Sequence, residues 1–407
     1  MKKTEKRNRM IDWSLFAALL LFVSAVTLWL FYRQTTGSSE LYHSDMKAYI
    51  LEMQGLDSGY SFPYPIFFKL AALLDLFVSP EMAVAVATML LNSLSIWIVK
   101  LSFNRLAAPA IKSRWQGRIF LSVLAVSLFF ISMLYLPSGI SLPGIRFKYL
   151  GVFTANPFHN ATYMAARPFA ILAFLWYVKL LPVYEEGLHG EKEKIGDYIL
   201  FSLFLLLATM TKPSFTIVLV GTAGLIMLFR MFRSGFRNFV PTLQLGLCFI
   251  PTFIDLLYQF KGVFVPAEGA EGGIGFCFGQ VWAQYCTNLP LAVCFAIGFP
   301  ILVLLLNFKE LKENTGYRFS WQMYLMSFAM AFFLYEKGFR MFDFNFSWGY
   351  MYGIFFCHME ALLVLVRSMG EKKQKPLLTG LQWLAYLGHV VCGLNYFLGL
   401  LRGQMYY

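Results

Sequence analysis

The chain has 407 residues, of which 58% are hydrophobic, 18% aromatic and only 14% charged, with a formal net charge of +12. Soluble domains carry about 25% charged residues, so this composition excludes a soluble enzyme. Nor does the positive balance mark a nucleic-acid-binding domain, because the cytoplasmic loops of membrane proteins collect Lys and Arg.

In chain order, a tail at 1–11 holding Lys2, Lys3, Lys6, Arg7 and Arg9 precedes an apolar run at 12–32. The run is too long for a signal peptide and has no small-residue cleavage site, so it reads as an uncleaved span with the tail in the cytoplasm. The outer loop at 33–80 then holds a short amphipathic stretch ending at Met53 and an apolar run at 66–78. As a helix that second run is roughly 20 Å long, which suits an interfacial position better than a crossing. Ser79-Pro80 separates it from the run at 82–101. Counting only the latter as a span puts the loop with Arg105, Lys112, Arg114 and Arg118 inside, as the positive-inside bias expects.

Further spans are predicted at 119–136, 161–181, 198–211, 214–229, 240–260, 289–308, 320–335, 348–366 and 379–400. The total is about 11, with the N-terminus cytoplasmic, the C-terminus outside and a Gly-rich outer loop at 261–288. On this layout the 34 Lys and Arg divide roughly two to one in favour of inside segments. The expected fold class is all-α: one polytopic domain over 1–407, in the cell membrane.

The outside basic residues are those that orientation leaves unexplained. They sit beside polar and aromatic residues in four clusters. The first is Tyr42-His43-Ser44-Asp45-Met46-Lys47, with Gly59-Tyr60-Ser61-Phe62-Pro63-Tyr64-Pro65 following. The second joins Arg146-Phe147-Lys148, Asn156-Pro157-Phe158-His159-Asn160-Ala161-Thr162-Tyr163 and Arg167. The third is Thr211-Lys212-Pro213-Ser214, and the fourth runs from Glu336-Lys337-Gly338-Phe339-Arg340 to Asp343, Asn345 and Trp348. The apolar run before Lys212 is too short to reach the surface, so its helix ends at a Pro within the membrane. Such breaks are tolerated where they line a cavity. The alternative for Lys212 is a snorkelling side chain at the headgroups.

An acid and several cations at one membrane face suit the transfer of a group from a lipid-linked phosphate to an acceptor hydroxyl. The cations hold the phosphate and stabilise the leaving group, and a carboxylate removes the acceptor's proton. Asp45 is the candidate base; its alternative role is an N-cap for the helix that begins at Met46.

The chain resembles the GT-C class of integral-membrane glycosyltransferases, which use polyprenyl-phosphate sugars. The resemblance lies in Ser44-Asp45 in the first outer loop, in Tyr64-Pro65-Ile66-Phe67-Phe68-Lys69-Leu70 leading into an interfacial helix, and in Ala208-Thr209-Met210-Thr211-Lys212-Pro213-Ser214. It implies a catalytic base at Asp45 and places Lys212, Arg146, Lys148, His159, Arg167 and Arg340 on phosphate or sugar. His43, Asn160 and Glu336 join them as binding candidates from the same clusters. The expected partners are a polyprenyl-phosphate sugar donor, a glycan, lipid or protein acceptor, and the surrounding lipids, with no nucleic acid. No Asp-x-Asp pair of the metal-dependent type accompanies Asp45, so neither metal nor cofactor is expected. The products are expected to serve cell-envelope polysaccharide or related glycans. A polymerase or ligase of lipid-linked oligosaccharides would use the same groups.

A transporter or flippase is the competing class, resting on Asp75, Asp255, His358, Glu360 and His389 in apolar segments. His358 and Glu360 are two positions apart and so face different directions on a helix. Cys277 and Cys286 share the Gly-rich loop, where a disulfide is open. The sequons Asn160-Ala161-Thr162 and Asn345-Phe346-Ser347 hug the predicted membrane boundary and read as site-lining residues.

Overall fold

A computed structural model describes residues 2–38, 40–111, 115–136, 153–186, 194–263, 273–338, 341–371 and 374–404. Arg146, Lys148 and Arg340 lie outside the described residues, as do Lys112 and Arg114 of the basic loop. The molecule is a helical membrane protein. Its first helix, α1 (Lys2–Thr36), is followed by two short helices, α2 (Met46–Met53) and α3 (Pro65–Asp75), in the loop expected to be interfacial. Ser79 then caps α4 (Pro80–Leu106): its hydroxyl accepts from the Met82 N–H, and Pro80 occupies the first turn, where no N–H is needed. The expected break at Ser79-Pro80 is therefore a helix start.

Next come α5 (Trp115–Ser127), α6 (Ala161–Glu186), α7 (Ile195–Thr209) and α8 (Ser214–Arg233). Then follow α9 (Phe239–Leu247) and α10 (Ile250–Val263), strand β1 (Ile274–Phe276), the single turn α11 (Gln280–Ala283), α12 (Leu289–Ala296) and α13 (Gly298–Leu306). The chain closes with α14 (Glu310–Glu313), α15 (Thr315–Phe333), strand β2 (Leu334–Glu336), α16 (Ser347–Gly370) and α17 (Pro376–Leu401). The two strands form a small antiparallel ribbon, with Ile274 opposite Glu336, the one departure from an all-helical fold among the described residues.

Among the described residues six helices are long and apolar enough to cross a membrane: α1, α4, α6, α8, α16 and α17. The count rises to eight if α9–α10, bent by 52°, and α12–α13, bent by 68°, each form one span. The run at 119–136 is not one helix. It passes from α5 through a 3-10 turn at Leu128–Phe130 into extended chain. That unwound segment is satisfied from elsewhere: Ser132 N–H donates to the His389 carbonyl, and Leu134 N–H to the Phe295 carbonyl. Irregular backbone at membrane depth requires such partners.

Helix α16 forms the centre, packed along α15 and against α8, α13 and α17. Every residue from Ser347 to Val366 is buried, as expected of a helix apolar on all sides. Gly353 allows the close approach of α15: a Cβ there would meet the Ser327 side chain and lie 3.2 Å from the Tyr324 Cα. The far end of α17 returns to the loop after α1, where Tyr42 N–H donates to the Gly403 carbonyl.

Candidate functional site

A cavity of about 480 Å³ opens at the end of the bundle that carries Asp45. Five of the residues lining it stand at helix N-termini: Asp45 before α2, Tyr64 before α3, Asn160 before α6, Lys212 just before α8, and Trp348 in the first turn of α16. Helix N-termini carry unsatisfied N–H groups and the positive end of the dipole. Five of them around one cavity make a field that favours an anion.

Asn160 organises the polar floor. As the N-cap of α6 its Oδ1 accepts from the Tyr163 N–H at 2.9 Å. The same oxygen accepts from Lys212 Nζ at 3.2 Å, while its Nδ2 donates to Asp45 Oδ2 at 2.6 Å. The backbone cap fixes which end of the amide is oxygen, and so fixes that the donor end faces the carboxylate. Acid and ammonium are thus joined through one amide rather than neutralised in a direct ion pair. Lys212 Nζ also donates to Thr162 Oγ1 at 3.1 Å and lies 4.9 Å from the Trp348 ring centre and 5.9 Å from that of Tyr64. It is only 6% exposed, which sets aside the snorkelling alternative.

Asp45 sits at the N-cap position of α2, yet its side chain makes no capping hydrogen bond. Instead the carboxylate receives Asn160 and, one helical turn along, the Tyr49 hydroxyl at 3.4 Å. Both contact Oδ2. Burial raises the carboxyl above its ordinary value, opposed in part by Lys212, Asn160, His43 and Tyr49. Burial, with His43 and Lys212 nearby, pushes His159 down to about 3, so its imidazole is neutral at physiological pH. The ring packs against Trp348, 5.7 Å between centres. Among the described lining residues Lys212 is the one Lys or Arg.

No protein-family model matches the chain, and no curated protein or solved structure does.

Of the residues singled out from sequence, Asp45, His43, His159, Asn160 and Lys212 meet at this cavity. Glu336 does not line it. From β2 it accepts a hydrogen bond from Asn345, which does. Nor does Arg167 line the cavity: it is fully buried in α6 among the Phe129, Tyr163 and Phe355 rings. Asn160 and Asn345, the two sequon asparagines, both stand on the cavity wall. Cys277 and Cys286 are free thiols, directed at the Phe332 and Asn288 carbonyls.

Sequence reasoning assigned no role to Tyr49 or Tyr285, and named Thr162 and Asp343 only as members of the outer polar clusters and, for Thr162, of a sequon. Tyr49 was detectable as the i+4 neighbour of Asp45 on an expected helix. Tyr285 comes from a distant loop and had no local signal, whereas Asp343 stood in the fourth cluster without a role of its own. Phe344 adopts a left-handed backbone (φ 59°) beside Asp343 and packs its ring 4.1 Å from that of Tyr285. Strained backbone of this kind clusters at ligand sites.

Proposed function

We propose that the protein is a membrane glycosyltransferase of the GT-C kind, with about 11 spans once the shorter α5 and α7 and the less apolar α15 join the eight long or bent ones. It moves a sugar from a polyprenyl-phosphate donor to a hydroxyl of a glycan, lipid or protein acceptor at the outer face. The observation that carries this reading is the pairing of Asp45 and Lys212 across Asn160, inside a cavity ringed by five helix N-termini.

The chemistry follows from the placement. Tyr49 and Asn160 both occupy Asp45 Oδ2, which leaves Oδ1 to take the acceptor's proton. The acceptor oxygen then bonds to the anomeric carbon from one side while the bond to the phosphate oxygen breaks on the other, inverting the centre. Negative charge grows on the departing phosphate. Lys212 and the helix N-termini supply a preorganised positive environment for it. The aromatic lining, including Tyr60, Phe62 and Trp348, offers ring faces for a sugar.

A carrier mechanism fits less well. His358 and Glu360 are both buried in α16 and line neither this cavity nor a second one of about 320 Å³ near Glu310, Glu313, Arg367 and Glu371. The two cavities lie at opposite ends of α16, roughly 28 Å apart by its rise. His358 faces His389, with 4.7 Å between ring centres, while the Glu360 carboxylate lies against Gly316. They do not make one midplane site.

The test is sugar transfer by the purified full-length protein from labelled polyprenyl-phosphate donors. Wild type transfers, and Asp45→Asn loses about 10²- to 10⁴-fold. Equal transfer by both would remove Asp45 as the base.

A further inference from the structure

Residues 153–160 form a strap between the unwound end of α5 and the start of α6, and all eight are buried without forming a regular helix or strand. Buried irregular backbone must find its hydrogen-bond partners within the protein, in other backbone groups or in side chains. Asn156 is the centre of that arrangement: its Nδ2 donates to the Leu128 and Ile131 carbonyls at 3.2 and 3.0 Å. Arg167 holds the other end of the same amide, Nη1 donating to Asn156 Oδ1 at 2.7 Å, while Nη2 lies 3.5 Å from the Ala155 carbonyl. The guanidinium is 0% exposed, with three ring centres 5.1 to 5.3 Å from its carbon. Among the described residues no carboxylate pairs with it, and its Nε has no hydrogen-bond partner.

A buried charge of this kind is costly to fold and, for packing alone, inferior to an apolar side chain of similar volume. What a planar guanidinium supplies is a rigid fork of donors that also stacks on aromatic faces. Four residues along the strap from Asn156 is Asn160, the amide joining Asp45 to Lys212, and the His159 carbonyl accepts the Asp45 N–H at 3.4 Å.

We propose that Arg167 is a positioning residue for Asp45: by holding Asn156 it sets the strap from which Asn160 and His159 reach the base. This rests on the reading of Asp45 given above. If Arg167 is replaced, Asn160 no longer delivers its bond, and Asp45 becomes a weaker acid because that bond favours the carboxylate.

The experiment compares Arg167→Lys and Arg167→Met with wild type, using full-length protein in detergent. Asn156→Ser tests the other end of the contact. In the transfer assay kcat falls about 10- to 100-fold, as a displacement near 1 Å would cause, with the donor KM unchanged. The acidic limb of the kcat–pH profile moves to higher pH. In an Asp45→Asn background the same Arg167 substitutions cause no further loss. A readout independent of transfer is the pH dependence of maleimide labelling of Asp45→Cys, whose midpoint shifts to higher pH when Arg167 is also replaced.

An unchanged labelling midpoint, or equal losses with and without Asp45, overturns the proposal and leaves Arg167 structural. Absence of transfer by wild type with a shifted labelling midpoint would defeat the transferase reading alone. Arg167→Lys keeps the charge but not the guanidinium fork, so the test survives if Arg167→Met does not fold.

Discussion

At the residue scale, the carboxylate of Asp45 is held where its charge is costly, and the sign of that cost can be worked out. An acid whose pKa is raised on folding binds its proton more tightly in the folded chain, so it subtracts stability as pH rises above the unfolded value. Asp45→Asn, a neutral isostere that still accepts from Asn160, is therefore expected to keep or raise the thermal midpoint at pH 7 while transfer collapses. A thermal shift of the purified variant measures this. His159 has the opposite sign. Its pKa is lowered to about 3, so the unfolded chain takes up a proton first, and stability is lost as pH falls from about 6.5 towards 3. His159→Gln should flatten the thermal midpoint between pH 6.5 and 4. Asn160→Asp separates cap from bridge. Asp still caps α6, but it pairs directly with Lys212 and places a like charge against Asp45. The protein should remain folded, lose at least about 10²-fold in transfer, and show the acidic limb of its pH profile at higher pH.

At the element scale, the helices that position the site are broken where side chains can take over the backbone's hydrogen bonds. His389 on α17 is directed at the Ser132 carbonyl through Nδ1 at 2.7 Å and accepts the Phe299 N–H through Nε2 at 3.1 Å. It thereby joins the unwound end of α5 to the first turn of α13. Gly393, one turn further along α17, lets that helix pass directly over the unwound chain: a Cβ there would collide with the Phe130 carbonyl and approach the Ile131 carbonyl carbon. Because the obstacle is backbone, nothing flexible can yield. Gly393→Ala is expected to destabilise by about 1–3 kcal/mol or more, read as a lower thermal midpoint, and to reduce transfer because Asn156 hangs from the same Leu128 and Ile131 carbonyls.

At the scale of the whole molecule, α16 runs buried between the two cavities, and the half of the bundle built on α1, α4 and α5 is fastened far from Asp45 by an ion pair. Lys100 Nζ donates to Asp12 at 2.9 Å with both side chains 0% exposed, and Ser122 donates to the same carboxylate at 2.8 Å. Removing one partner leaves a buried uncompensated charge. Lys100→Met should cost about 3–5 kcal/mol, and Asp12→Leu in the same chain should recover most of it. Thermal midpoints of the two single variants and the double variant give the cycle. A double variant no more stable than Lys100→Met alone would show that the pair is not the unit.

The residues that reading along the chain could find are those whose role is announced locally. Apolar runs mark helices because hydrocarbon demands them, the Ser79-Pro80 pair marks a helix start, and Asp45, Lys212, His159 and Asn160 stand out as polar groups at apolar boundaries. Period and spacing do not say which way a boundary residue faces. Arg167 and Lys212 have the same signature in sequence, yet one is sealed among aromatic rings and the other closes a cavity, because only the packing of α6 against its neighbours decides which face turns inward. The unwinding at 128–136 was hidden in a run apolar enough for a span; its cause lies in Phe295, His389 and Gly393, more than 150 residues away. Composition and periodicity thus established a helical membrane protein and brought forward Asp45 and Lys212 as candidates. Tertiary structure alone set one amide between them, because the site is assembled from five helix starts spread along the chain that meet only in the folded bundle.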